Sequence, residues 1–107
     1  ITKEKYVMIE SIYNKLHDKN ICDSAYDFSV RFLGKSRSYY SVLKTRNVQP
    51  SMEVIATLEV ALKNTSRLFS DRHPIFTKTR ITLQDLAVDV GQYREQRSNE
   101  ILSQHTC

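Results

Sequence analysis

Four residues punctuate this chain of 107: Gly34, Pro50, Pro74 and Gly91 are its only glycines and prolines. Such sparse breakers leave long uninterrupted stretches, which suit helix far better than the turn-rich chain of a small sheet protein. Both prolines stand at apparent joints, one before Ser51 and one after His73. Apolar residues recur along the stretches between them at helical spacing. No strand pair, internal repeat or low-complexity tract interrupts that pattern. The expectation is an all-α fold, and the length suits one domain with or without an appended arm.

Tyr6, Ile9, Ile12, Tyr13 and Leu16 mark a first amphipathic helix over about Lys3–His17, broken by Asp18-Lys19-Asn20. Asp23 or Ser24 can cap a second helix through Leu33, with Phe28, Val30, Phe32 and Leu33 supplying apolar contacts. Gly34 follows where a helix commonly ends on a left-handed residue. Ser36 then reads as the cap of a third helix, Arg37 to about Lys44, that turns Tyr39, Val42 and Leu43 inward. Ser51 and Glu53 suit the start of a fourth helix whose stripe is Ile55, Leu58 and Leu62, supported by Val54 and Ala61. The stretch 64–79 reads as a short fifth helix near Ser66–Phe69 and then a loop. Thr82-Leu83-Gln84-Asp85 fits a capping box that opens a last helix to about Ser103. Gly91 weakens the middle of that helix.

Charge is unevenly spread about a net +4. From Phe28 to Met52 there is no Asp or Glu, while Arg31, Lys35, Arg37, Lys44 and Arg46 are all cationic. An anionic partner such as a phosphate backbone would relieve their mutual repulsion; the plainer alternative is a solvated basic face. Within this stretch lies Phe32-Leu33-Gly34-Lys35-Ser36-Arg37-Ser38-Tyr39-Tyr40-Ser41. A helix-turn-helix needs such a series: an apolar anchor, a residue tolerant of positive φ, and a hydroxyl to start the second helix at a steep angle. Residues just past that start project into the major groove, and a helix N-terminus favours phosphate.

The chain resembles the Cro/repressor-like (Xre-type) helix-turn-helix family, over roughly residues 5–70. Leu33-Gly34-Lys35-Ser36 stands for its Leu-Gly-x-Ser turn, and Pro50-Ser51 for the start of its next helix. The resemblance implies a compact bundle of four to five helices that binds double-stranded DNA, usually as a dimer. On it, Arg37, Ser38 and Tyr40 would contact bases, while Lys35, Ser36, Ser41, Lys44 and Arg46 would contact phosphates. The chain departs from the pattern in three places. Lys44-Thr45-Arg46 replaces a usual Glu-x-Gly, leaving Asn47 to supply the left-handed turn. Ser24-Ala25-Tyr26 occupies the region of a usual Gln, and Val30 stands where a small residue is expected.

Other chemistry finds little footing. Cys22 and Cys107 form no CxxC pair, so neither a zinc site nor a disulfide framework is expected. His17, His73 and His105 lack metal-ligand spacing, and Gly34-Lys35-Ser36 lacks the earlier glycine of a phosphate-binding loop. No enzymatic activity, cofactor or metal is expected. Nor is a membrane partner, because no apolar run approaches the roughly 20 residues of a span and Ile1–Lys5 lacks a signal-peptide core. A reducing cytoplasm suits the unpaired cysteines.

The expected organisation is a DNA-binding domain over 1–70, a linker over 71–81, and a C-terminal helix over 82–107. That helix either pairs with a twin through Leu83, Leu86, Val90, Tyr93 and Ile101 or packs back on the core; Arg97 and Gly91 count against a regular coiled coil. Two functions follow. One is a sequence-specific transcriptional regulator that reads the major groove with the helix starting at Ser36, acting as a homodimer. The other is a protein-interaction module, an antirepressor or adaptor, on the same scaffold.

Overall fold

A computed structural model describes residues 7–69 and 74–104, with Val7 and Ile75 described by backbone alone. They form five helices: α1 Val7–Asp18, α2 Ala25–Arg31, α3 Tyr39–Arg46, α4 Met52–Ser66 and α5 Pro74–Gln104. No strand occurs among the described residues. The fold is an all-α bundle, as the scarcity of Gly and Pro predicts.

Local chemistry sets most boundaries. Asn20, at φ 60°, turns the chain after α1, and the Ile21 and Cys22 amides close back on the Leu16 carbonyl. The Ser24 hydroxyl caps α2 by accepting from the Asp27 amide, and Ser51 caps α4 by accepting from Val54. Asn47 ends α3 in the left-handed region (φ 52°, ψ 50°), a conformation that asparagine tolerates better than most residues with a side chain.

The core draws on every helix. Ile9, Ile12 and Leu16 of α1 meet Phe28 of α2, Leu43 of α3, Ile55, Leu58 and Leu62 of α4, and Leu83, Leu86 and Val90 of α5. An aromatic knot locks the first three helices together. Tyr13 packs 5.3 Å from Phe28 and 5.1 Å from Tyr40, and Phe28 meets Tyr40 edge-on at 5.1 Å.

The C-terminal region differs from expectation. No separate helix forms at Ser66–Phe69: α4 runs to Ser66, and residues 67–69 are turn. The predicted linker falls partly on 71–73, outside the described residues, and its remainder, 74–81, is helix. Proline at the first helical position loses no hydrogen bond, because that amide has no intrahelical acceptor anyway. Pro74 therefore begins a helix of 31 residues, about 45 Å long at 1.5 Å per residue. Thr82-Leu83-Gln84-Asp85 lies inside it and caps nothing. Leu83, Leu86, Ala87 and Val90 are all at most 2% exposed, so these residues pack on the bundle. The helix lies along α4, where Arg94 Nε donates to Glu59 Oε1 at 2.9 Å and Arg97 Nη1 to the Pro50 carbonyl at 2.6 Å. A Cβ on Gly91 would come within 3.0 Å of Glu59 Oε2, so the glycine lets α5 approach that carboxylate.

Candidate nucleic-acid interface

The turn between α2 and α3 is built on Gly34, whose φ of +66° is costly for any residue with a side chain. A Cβ there would also stand 3.3 Å from Thr57 Cγ2 of α4. On either side of the glycine, the Leu33 amide bonds the Phe28 carbonyl (3.2 Å) and the Lys35 amide bonds the Ser29 carbonyl (3.0 Å).

The expected serine cap on α3 does not form. The helix begins at Tyr39, Ser38 holds the capping position in an αR conformation, and its side chain makes no capping hydrogen bond. Ser36 contributes only its carbonyl, which accepts from the Tyr39 amide at 3.1 Å. The capping hydroxyl comes instead from the preceding helix. Ser29 is fully buried; its Oγ donates to the Ala25 carbonyl (2.9 Å) and accepts from the Tyr40 amide (3.0 Å). One of the four amides that a helix start leaves without a partner is thereby satisfied across the turn. The sequence pattern does not single out Ser29, because the amide that it caps lies eleven residues further along the chain. Val30 is on the outside of α2, 49% exposed.

The register of α3 also differs. Tyr40 and Leu43 face the core, Tyr39 is half-buried, and Val42 is exposed. Tyr40, 1% exposed, cannot reach a base edge. Its ring completes the aromatic knot with Tyr13 and Phe28, a larger apolar gain than Val42 could supply at that place. The outward face therefore carries Ser38, Ser41, Val42 and Thr45, with Ser36 and Arg37 in the turn before it, all exposed.

Of the five cations in the acid-free stretch, Arg31 is committed within the protein. It bonds Asp27 Oδ2 at 2.8 Å and the Ile21 carbonyl at 3.2 Å, and lies 5.4 Å over the Phe32 ring. Burial would raise the Asp27 carboxyl, but the Asp23 amide and the Arg31 guanidinium outweigh it and hold the group below its ordinary value. The other four cations stand exposed around α3. Lys35 Nζ lies 5.9 Å from the Tyr39 ring centroid and 3.9 Å from Glu53 Oε1, a loose ion pair at the surface. Lys44 Nζ lies 5.6 Å from the Tyr40 ring, on the flank of the helix. Among the described residues, neither Arg37 nor Arg46 pairs with a carboxylate.

Metal chemistry has no matching cluster among the described residues. No three His, Cys, Asp or Glu side chains come together in a way that could hold a metal. Burial pushes the Cys22 thiol up to about 11, and it donates to the Ser24 carbonyl at 3.3 Å, which keeps it a neutral packing group. No described helix is long and apolar enough to cross a membrane.

Residues 9–104 match the model of DUF6626, a family of unknown function. The chain belongs to that family. Comparison with curated proteins and with solved structures found no match. The family match covers all five helices but for the first residues of α1, so the α2–turn–α3 unit and the long α5 both fall within it.

Proposed function

We propose that this DUF6626 protein is a sequence-specific double-stranded-DNA-binding transcriptional regulator that lays α3 in the major groove. The observation that carries the proposal is the surface around α3. A short helix follows a tight glycine corner, presents Ser38, Ser41, Val42 and Thr45 outward, and is ringed by Lys35, Arg37, Lys44 and Arg46. A convex helix of eight residues fits the width of the major groove, and the flanking cations suit its phosphate walls.

Roles divide by position. Arg37 and Ser38, at the entry to the helix, would meet base edges, with Arg37 able to bind guanine bidentately. Lys35, Ser36, Ser41, Lys44 and Arg46 would fix register on phosphates. Two copies acting together would supply two half-sites and the affinity that one small helix lacks. Because Leu83, Leu86 and Val90 are occupied by the core, such pairing would use exposed apolar residues elsewhere on α5, such as Val88, Ile101 and Leu102. A regulator of this kind would work in the cytoplasm, the reducing compartment that suits the unpaired Cys22.

The test is selection from a random-sequence duplex pool by the full chain, followed by affinity measurements on the selected site. Arg37→Ala should lower affinity by roughly 1–3 kcal/mol and relax preference at one position. Failure to enrich any sequence would overturn the proposal.

A further inference from the structure

Val42 is the one apolar member of the outward face of α3. It sits in the second turn, 40% exposed, with Ser38 one turn before it, Ser41 beside it and Thr45 about one turn after it. Each of those neighbours carries a hydroxyl, so Val42 alone on this face can neither donate nor accept a hydrogen bond. It makes no part of the core, since Tyr40 and Leu43 fill that role for α3. Arg46 follows about one turn later, Lys44 lies on the flank of the helix over the Tyr40 ring, and the stretch 28–52 holds no acid that would repel a nucleic acid. If α3 occupies a major groove as proposed above, Val42 lies against its floor. The floor offers hydrogen-bonding edges throughout and one kind of apolar group, the methyl at C5 of a pyrimidine.

We propose that Val42 is a specificity-determining residue that packs its branched side chain against a pyrimidine 5-methyl group. The inference rests on the DNA-binding function proposed above and extends it to a residue whose sequence context assigns it to the core. The methyl can belong to thymine or to 5-methylcytosine, which present it at the same place on the groove floor. Burying one methyl against Val42 is worth about three- to fivefold in affinity.

The experiment uses the full chain and the duplex recovered by selection. Each thymine is replaced in turn by deoxyuridine, which removes the methyl and leaves every hydrogen-bonding group in place, and binding is followed by fluorescence anisotropy. In a second arm each cytosine is replaced by 5-methylcytosine. At one position per half-site the wild type should weaken about three- to fivefold on loss of a thymine methyl, or tighten by a similar factor on methylation of a cytosine. The arm that responds identifies the source. Val42→Ala should bind the methylated and unmethylated duplexes within about twofold of each other, while Val60→Ala, on the exposed side of α4 and away from α3, keeps the wild-type response. Circular dichroism should show V42A folded, because the side chain lies outside the core. A selected site with no methyl-dependent position, or a V42A protein that keeps the full methyl dependence, overturns this inference and leaves DNA binding standing. Failure to select any duplex overturns both.

Discussion

Removing the Ser29 hydroxyl should loosen the start of α3 while leaving its basic face unchanged. In Ser29→Ala the Tyr40 amide loses the acceptor 3.0 Å away, at a place where the Ser29 and Tyr40 side chains are both sealed from water. The amide is the second of α3, so no carbonyl of its own helix can replace the hydroxyl. A buried donor left without a partner costs about 1–3 kcal/mol. Alanine returns at most about 0.7 kcal/mol of helix propensity within α2. The net loss should be about 1–2 kcal/mol, a fall in Tm of roughly 5–15 °C for a domain of this size. Urea and thermal unfolding followed by circular dichroism measure the loss. Amide exchange at Tyr40 locates it, since protection there should drop more than at the α4 core residues Ile55 and Leu58. Ser41→Ala, on the exposed side of α3, should stay within about 0.5 kcal/mol of wild type. If S29A matched wild type in stability, or if Tyr40 exchange did not change, the hydroxyl would not be what fixes the helix start.

Gly34→Ala should cost roughly 1–2 kcal/mol in the same unfolding assay, because it forces a side chain into φ +66° and crowds Thr57; a stability equal to wild type would contradict the glycine corner. At Glu59, burial would raise the carboxyl, but Arg94 at 2.9 Å and Lys63 at 3.3 Å outweigh it and lower its value. A carboxylate lowered in the folded state stabilises above its unfolded value and loses that stabilisation as pH falls through the folded one. Denaturant midpoints should therefore decline below about pH 4.5, and Glu59→Gln should flatten that acid limb, with Asp27 supplying the part that remains. Truncation after Arg80 removes Leu83, Leu86, Ala87 and Val90 from the core, and should abolish cooperative unfolding outright; a truncated chain with a sharp transition would show α5 to be a dispensable arm.

What could be read from the sequence was what neighbouring residues decide between themselves. Ser24 and Ser51 cap the helices that follow them, Gly34 and Asn47 take left-handed conformations, and Ile55, Leu58 and Leu62 form one buried stripe. The misplacements arose where a distant partner chose between two locally acceptable patterns. Tyr39–Val42–Leu43 and Tyr40–Leu43 both fit a buried helical face. The second is the one used, because Tyr13 and Phe28 offer the Tyr40 ring an aromatic pocket. Ser36 suits a cap by spacing, yet the hydroxyl of Ser29, eleven residues before Tyr40, does that work. Pro74 signals a break and in fact opens a helix, since proline is as well suited to the first turn as to a loop. For the candidate site, the cations were legible and survive as a surface cluster. The outward face of α3 needed the structure, which withdraws Tyr40 and brings out Val42.

The most direct test of the account is the salt dependence of duplex binding by the intact protein. With Lys35, Lys44 and Arg46 as the groups that neutralise phosphates, log K against log salt should fall with a slope of about −3 per protomer. Substituting Lys44 or Arg46 by alanine should make that slope shallower by about one unit each. Affinity that does not change with salt, or a slope indifferent to these substitutions, would contradict the assignment of α3 and its cations as a DNA-binding surface.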